Sequence, residues 1–322
     1  MRREGLFCGG SFAGRRWRSF FAQLPPCTVG MEACGSAHHW VRVIGRYGHQ
    51  VRLMPPAYVK PYVKRQKNDS TDAEAICEAV TRPNMRFVPT KTVAQQSCLM
   101  LHRARHLFIR QQTAVINSIR AYLAEFGIVA PVGRRGVEQL LEVVGDTADR
   151  RLPEVARACL AALGGQLRAL KAQILEFDRR IIAWHRSSPT SKRLDAIPGV
   201  GPTLATALVA SVADAKAFQS GRDFSAWVGL VPKQNSSGGK DKLGSISKQG
   251  DRYLRSLFTA GALAVIRYAK IHGAPHRPWL TALLARRPTK VAAIALANKL
   301  ARMAWAMMAR NDSYKEPAAL AA

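Results

Sequence analysis

Three carboxylates and a pair of serines carry most of the chemistry that this sequence can offer. Asp69 and Asp72, in the run Asp69-Ser70-Thr71-Asp72, stand three apart at the start of a helical segment. At that spacing two side chains project from one helix face, close enough to share a divalent cation. The basic residues Lys60, Lys64, Arg65 and Lys67 lead into them, where a polyanion would arrive. Glu32 follows Cys27-Thr28-Val29-Gly30-Met31, which reads as a short buried strand. Open α/β sheets place their sites at such C-terminal strand ends. Carboxylate oxygens of this kind suit Mg²⁺, and paired ions could clamp the attacking and leaving oxygens of a phosphodiester. The plainer reading makes Asp69 and Asp72 helix-capping residues.

The serines lie in Asn235-Ser236-Ser237-Gly238-Gly239-Lys240, followed by Ser245, Ser247 and Lys248. In a basic, glycine-containing loop a serine could be a nucleophile, a phosphate contact or part of a linker, and spacing alone favours the linker. A Walker-type phosphate loop is excluded, because its glycine–lysine spacing is absent. Upstream, Ile197-Pro198-Gly199-Val200-Gly201-Pro202-Thr203 joins two helical segments. A Pro-Gly-apolar-Gly turn lets amides at a helix start face a phosphate, with Gly199, Gly201 and Thr203 nearest it. This is a helix-hairpin-helix pattern, which grips DNA backbone without reading bases; a plain helix–helix connection is the alternative.

The elements that must position these groups divide the chain. Residues 27–54 read as β-α-β, with a helix over 36–47 and a second strand at 50–54 stopped by Pro55-Pro56. A helix over 71–81 follows, with N-cap candidates at Asp69 to Thr71, then a brief strand at Arg86-Phe87-Val88. One amphipathic helix spans about 92–126. Leu160, Leu163, Leu167, Leu170, Ile174, Phe177, Ile181 and Trp184 then alternate at spacings of three and four. That seam predicts a coiled-coil stalk or an ordinary bundle helix, with Gly164-Gly165 costing about 1 kcal/mol each. From about 191 a third, small-residue-rich helical unit begins, with turns at 198–201 and 232–250, and the tail after Asn311 frays.

Composition narrows the partners. The chain has 322 residues, 49 Lys+Arg against 21 Asp+Glu, a formal charge of +28, and 48% hydrophobic residues. It can fill real cores, and the charge calls for a polyanion, nucleic acid being the usual one. An arginine-rich lineage is the bland explanation. Six scattered cysteines without a C-x-x-C pair argue against a zinc ribbon or a disulfide scaffold and fit a reducing cytoplasm. Cys34 with His38 and His39 lacks a second ligand pair, so a structural role is expected. No apolar run approaches the roughly 18 residues of a membrane span, and no membrane partner is expected.

Taken in order, Val29-Gly30-Met31-Glu32-Ala33-Cys34-Gly35, Lys67-Asn68-Asp69-Ser70-Thr71-Asp72-Ala73, Ile197-Pro198-Gly199-Val200-Gly201, Phe224-Ser225-Ala226-Trp227-Val228-Gly229-Leu230-Val231-Pro232 and the Ser236-Ser237-Gly238 loop form one pattern. It resembles the DEDD-type transposases of the insertion-sequence one-ten family, related to the Piv-type invertases, over about residues 17–310. The resemblance implies an α+β, mainly α chain: a RuvC-like α/β nuclease domain (1–91), a helical coiled-coil region (92–190), a helical C-terminal transposase domain with a helix-hairpin-helix motif and serine loop (191–310), and a tail (311–322). It makes Glu32, Asp69 and Asp72 the second, third and fourth Mg²⁺-binding acids. It makes Ser237 the nucleophile that forms a phosphoserine link to DNA, with Ser236 the rival. Gly199, Gly201, Thr203, Lys240 and Lys248 become DNA contacts. Partners implied are DNA, an element-encoded guide RNA and further copies of the chain, in a bacterial, nucleoid-associated setting.

The family's pattern opens with a strand bearing a first aspartate. Before Glu32 the only acid is Glu4, and Gly9-Gly10 and Gly14 suit residues 1–14 poorly to strand structure. We therefore expect a truncated nuclease layer lacking one acid, with Arg15 to Leu24 forming the helix that follows the missing strands. Three activities follow: a DNA transposase, a non-catalytic nucleic-acid-binding remnant, or a junction-resolving nuclease that needs the acids but not the serine.

Overall fold

The computed structural model describes residues 14–64, 68–273 and 277–316. The expectation about residues 1–13 lies outside them, as do Arg65 and Lys67 of the basic run and the end of the tail. The chain divides into two units, Met1–Val93 and Ala94–Ala322.

In the first unit, α1 (Gly14–Gln23) precedes β1 (Thr28–Glu32), α2 (Ala37–Gly45) and β2 (Gln50–Met54). The two strands pair in parallel, from Thr28 opposite Gln50 to Glu32 opposite Met54. This is the β-α-β unit that the spacing of apolar runs and turn residues predicts. After α3 (Pro56–Val59) and a 3-10 turn (Lys60–Tyr62) comes α4 (Asp69–Val80). A small core of Met54, Val59, Ala75 and Ala79 closes this layer, with Tyr62, Ile76, Val80 and Phe87 packed around it. The strand expected at Arg86–Val88 is reduced to one antiparallel bridge, Val88 to Leu53, with Val88 N–H donating to the Leu53 carbonyl at 2.7 Å. The Phe87 ring lies under the Arg52 guanidinium, packing this segment onto β2 through side chains rather than through a ladder.

The second unit begins with α5 (Val93–Ala124), α6 (Arg134–Gly145) and α7 (Glu154–Ser187). Ile119, Leu123, Leu140, Leu160 and Leu167 meet in one buried cluster contributed by all three helices. At about 2 kcal/mol for each fully buried leucine or isoleucine, this cluster contributes strongly to holding the three helices together. The N-terminal half of the three-four seam on α7 is therefore covered within the chain, as in an ordinary bundle. Gly164 has a packing reason: a Cβ there would lie 3.0 Å from Leu141, so the glycine lets α6 approach.

The remaining helices are α8 (Pro189–Asp195), α9 (Pro202–Ser211), α10 (Gly221–Val228), α11 (Arg252–His272), α12 (Pro278–Arg286) and α13 (Thr289–Arg310). They enclose a larger core that includes Leu204, Leu208, Phe224, Phe258, Ala262, Leu300 and Ala304. Between α10 and α11, β3 (Pro232–Gln234) and β4 (Leu243–Ile246) form an antiparallel hairpin. Among the described residues, α13 is long and apolar enough to cross a membrane, contrary to the reading of the bare sequence. Its small apolar residues, including Ala292, Ala293, Ala297, Ala301 and Ala304, are buried in this core, which accounts for its composition.

Candidate functional site

Glu32 and the two aspartates share one face of the first unit. Gly30 points at α4, since a Cβ there would lie 3.0 Å from Ile76 and 3.2 Å from Val80. Side chains two apart on a strand point the same way, so Glu32 faces α4 as well. Its register partner Met54, buried in the core beneath α4, confirms that side. On α4, Asp69, Asp72, Ile76 and Val80 follow helical spacing along one face. The aspartates thus lie in the turns preceding the contact with β1. Glu32 and Asp72 are half-buried and Asp69 is exposed.

The helix start corrects the expected cap. Asn68, not Asp69 to Thr71, is the N-cap: its side-chain oxygen accepts from Thr71 N–H at 2.8 Å, and Thr71 Oγ1 accepts from Asn68 N–H at 3.3 Å. Asp69 and Asp72 are therefore first-turn residues, favoured there by the helix dipole but not consumed by capping. Asn68, three residues before a hydroxyl residue, was the readable signal.

A common face is not a closed cage. Among the described residues, no three His, Cys, Asp or Glu side chains are grouped so as to hold a metal ion. The three carboxylates supply suitable oxygen donors but do not by themselves enclose a cation. Cys34 and His38 are likewise apart from any metal set: Cys34 Sγ donates to the Gly35 carbonyl, and His38 Nδ1 accepts from Lys91 N–H. The basic approach is partly neutralised, because Lys64 pairs with Glu74.

In the second unit the turn from α8 to α9 is a tight connection. Ile197 and Val200 are buried, Val200 N–H donates to the Ile197 carbonyl at 2.8 Å, and Gly199 takes φ +95°. A Cβ on Gly199 would meet Val265 at 2.9 Å and the Gly261 carbonyl at 3.0 Å. Packing on α11 thus accounts for Gly199 without any ligand. Gly201 differs: it is exposed, no atom lies within 4 Å of where its Cβ would be, and it starts α9 without a side-chain cap. Pro202 follows at the first helical position and Thr203 is half-buried.

Buried polar contacts fix α9 on its neighbours. His102, on α5, has Nδ1 3.0 Å from Tyr253 Oη and Nε2 3.0 Å from Thr206 Oγ1. Burial, with a smaller contribution from Arg105, pushes the His102 imidazole down to about 4, so it is neutral at physiological pH. Burial also pushes the Tyr253 phenol up to about 12. Gln95 adds a bond from Nε2 to the Val209 carbonyl at 2.9 Å. Sequence reading passed over these residues because they are far apart in the chain.

The serine segment is a hairpin rather than the linker that spacing favours. Asn235 N–H donates to the Lys242 carbonyl at 2.9 Å, and Ser237 bridges to Lys240, whose N–H donates to the Ser237 carbonyl at 3.1 Å. Gly238 and Gly239, at φ +57° and +75°, supply the two left-handed residues that a two-residue turn with the right twist requires. The Gly-Gly pair was the available signal. It was weak because the flanking strands are exposed and lack apolar alternation.

The two serines differ in their bonding. Ser236 Oγ accepts from Lys242 N–H at 3.1 Å and from Gln234 Nε2 at 3.1 Å. The Ser237 hydroxyl is exposed and is engaged in no side-chain hydrogen bond among the described residues. The root of the hairpin is firmly held. Asn298 donates to the Leu230 carbonyl at 3.2 Å and Arg255 to the Val228 carbonyl at 2.9 Å. Ser247 N–H reaches the Val231 carbonyl at 2.8 Å. Lys240 and Lys248 are exposed, Lys248 at φ +56°.

Two family models match the chain, one of them running across the boundary between the two units. Residues 191–277 match the family model described as "Transposase IS116/IS110/IS902 family", and residues 16–128 match the IS110-type DEDD model described as "Transposase". A "Probable family 20 transposase" of Pseudomonas aeruginosa is 47% identical over 98% of this chain and 93% of its own length. The "Transposase for insertion sequence element IS1111A" of Coxiella burnetii is 40% identical, over 92% of this chain and 82% of that protein. The "Transposase for insertion sequence element IS1328" of Yersinia enterocolitica is 39% identical, over 92% and 88%. With motifs, order and near full-length identity in agreement, the chain belongs to the IS116/IS110/IS902 family of DEDD transposases.

Proposed function

We propose that this chain cuts and rejoins DNA as the transposase of an insertion sequence, with Ser237 as nucleophile and Glu32, Asp69 and Asp72 as its acidic centre. The observation that carries the serine assignment is the difference in bonding within the hairpin. Attack on phosphorus needs an available oxygen lone pair, and Ser236 Oγ already accepts two hydrogen bonds. In the reaction Ser237 Oγ loses its proton and bonds to phosphorus. The phosphodiester P–O bond to one deoxyribose breaks, and the departing oxygen takes up a proton. Rejoining reverses the step with the hydroxyl of another strand, so the energy of the ester is kept.

The DEDD family implies a divalent cation; bound with phosphate oxygens, Mg²⁺ would polarise the phosphodiester. The carboxylates on the α4-facing side would be its protein donors. The exposed start of α9 at Gly201 and Thr203, with Lys240 and Lys248, would bind DNA backbone. Gly199 would shape that turn. Guidance by an element-encoded RNA, assembly of several copies and a cytoplasmic location complete the reading.

The binding-only reading has one observation behind it, the lack of a three-ligand group among the described residues. One experiment separates the two. The full chain is expressed from a plasmid carrying its reading frame with the flanking DNA, and covalent protein–DNA adduct is measured after denaturing capture. We expect adduct from the parent chain and at least a thousandfold less from Ser237→Ala. Equal adduct from both would remove the serine assignment. Salt-sensitive DNA binding without adduct would establish the remnant.

A further inference from the structure

We infer that Ser236 and Gln234 are positioning residues that clasp the two strands of the serine hairpin and hold Ser237 in place for attack. The inference rests on the reading of Ser237 as nucleophile. Ser237 is the first residue of the two-glycine turn, so its direction depends on whether the strands beside it stay in register. Those strands are short, exposed and free of buried apolar residues. A hairpin of this kind has little intrinsic stability in water.

The register is already irregular: Gln234 pairs with Leu243, but a shift separates that pair from Pro232 opposite Ile246. The pairing therefore needs fixing close to the turn. Ser236 provides this from side-chain atoms. Lys242 N–H lies on the strand opposite, where a regular ladder would offer it the Asn235 carbonyl. Here it donates to Ser236 Oγ at 3.1 Å. Gln234 Nε2 donates to the same oxygen at 3.1 Å, so one hydroxyl ties residue 234, residue 236 and the opposing backbone together immediately before Ser237.

The clasp also divides the labour of two adjacent, chemically identical side chains. A mobile turn would present Ser237 in many directions, and misplacement by about an ångström costs about a hundredfold in rate. Loss of Ser236 Oγ would free the turn without touching the reacting atoms. Its signature is a slower covalent step with DNA affinity unchanged.

The test uses the full chain and the same plasmid, with adduct measured for Ser236→Ala, Ser236→Thr, Gln234→Ala and Ser237→Ala. We expect adduct to fall about tenfold in Ser236→Ala and severalfold in Gln234→Ala, to recover in Ser236→Thr, and to vanish in Ser237→Ala. DNA affinity of the purified proteins should stay within twofold throughout. Amide hydrogen exchange of purified Ser236→Ala should be at least tenfold faster at Lys242 than in the parent. Full adduct from Ser236→Ala, no recovery with Ser236→Thr, or unchanged exchange at Lys242 would overturn the clasp alone. Adduct from Ser237→Ala but none from Ser236→Ala would make Ser236 the nucleophile. No adduct from the parent chain would remove the underlying reading as well.

Discussion

Glu32, Asp69 and Asp72 stand at the ends of regular elements, whereas Ser237 stands on an exposed turn rooted in a dense helical core. In the first unit, the approach of β1 to α4 is cushioned by side chains: the nearest atoms to a Cβ on Gly30 are the branched ends of Ile76 and Val80. In the second, the approaches at Gly261 and Gly250 are backbone on backbone. A Cβ on Gly261 would lie 1.9 Å from the Gly199 carbonyl, and one on Gly250 would lie 1.7 Å from the Trp227 carbonyl. Side chains can move aside by a few tenths of an ångström and a buried carbonyl cannot, so the two regions should respond differently to the same small insult.

The largest effect should come from Gly261→Ala. Forcing Gly199 off α11 should destabilise the chain by about 3 kcal/mol, read as a shift in the urea midpoint followed by tryptophan fluorescence. A loss below 1 kcal/mol would mean that the hairpin turn can slide and the contrast with the first unit fails.

Acid should act almost as strongly on the second unit through His102. Its pKa is lowered from 6.5 to about 4 in the fold, so the unfolded chain binds the proton first as pH falls. The contribution is complete above about pH 6.5 and is lost between 6.5 and 4, with a ceiling of about 3 kcal/mol at 1.36 kcal/mol per unit. Unfolding free energies at pH 7 and pH 4 should differ more in the parent than in His102→Leu. Equal slopes would show that the His102 contacts with Thr206 and Tyr253 do not survive in solution.

In the first unit, Asn68→Ala should cost about 1 kcal/mol through loss of the capping box and loosen the first turn that carries Asp69 and Asp72. Faster amide exchange at Asp69 to Asp72, with the second unit unaffected, would be its mark. The smallest effect belongs to Gly30→Ala, about 0.5–1 kcal/mol, because Ile76 and Val80 can yield. If it matches Gly261→Ala in a parallel urea titration, the first layer is as rigid as the helical core.

Much of this was legible beforehand. The parallel β-α-β order follows from alternating apolar runs and turn residues around Gly48 and Pro55, and type and spacing single out the three acids as candidates. The long helices follow from apolar residues three and four apart. What failed to read did so for physical reasons. The cap at Asn68 competes with neighbouring aspartates that cap equally well in isolation. The strand at Arg86–Val88 has strand-forming residues but only one pairing. The α13 stretch is interrupted by Lys290, Lys299 and Arg302, which hides how apolar its buried face is.

Sequence by itself determined the family, the order of the motifs and the strongly basic charge, because these depend on local spacing and composition. Tertiary structure decided which side of each element those residues use. It turned Glu32 toward α4, gave Gly199 to the core while leaving Gly201 exposed, covered much of the α7 seam within the chain, and bound Ser236 where Ser237 stands clear. Each outcome depends on what a second element, distant in sequence, brings within hydrogen-bonding or van der Waals reach, and local spacing carries no record of that.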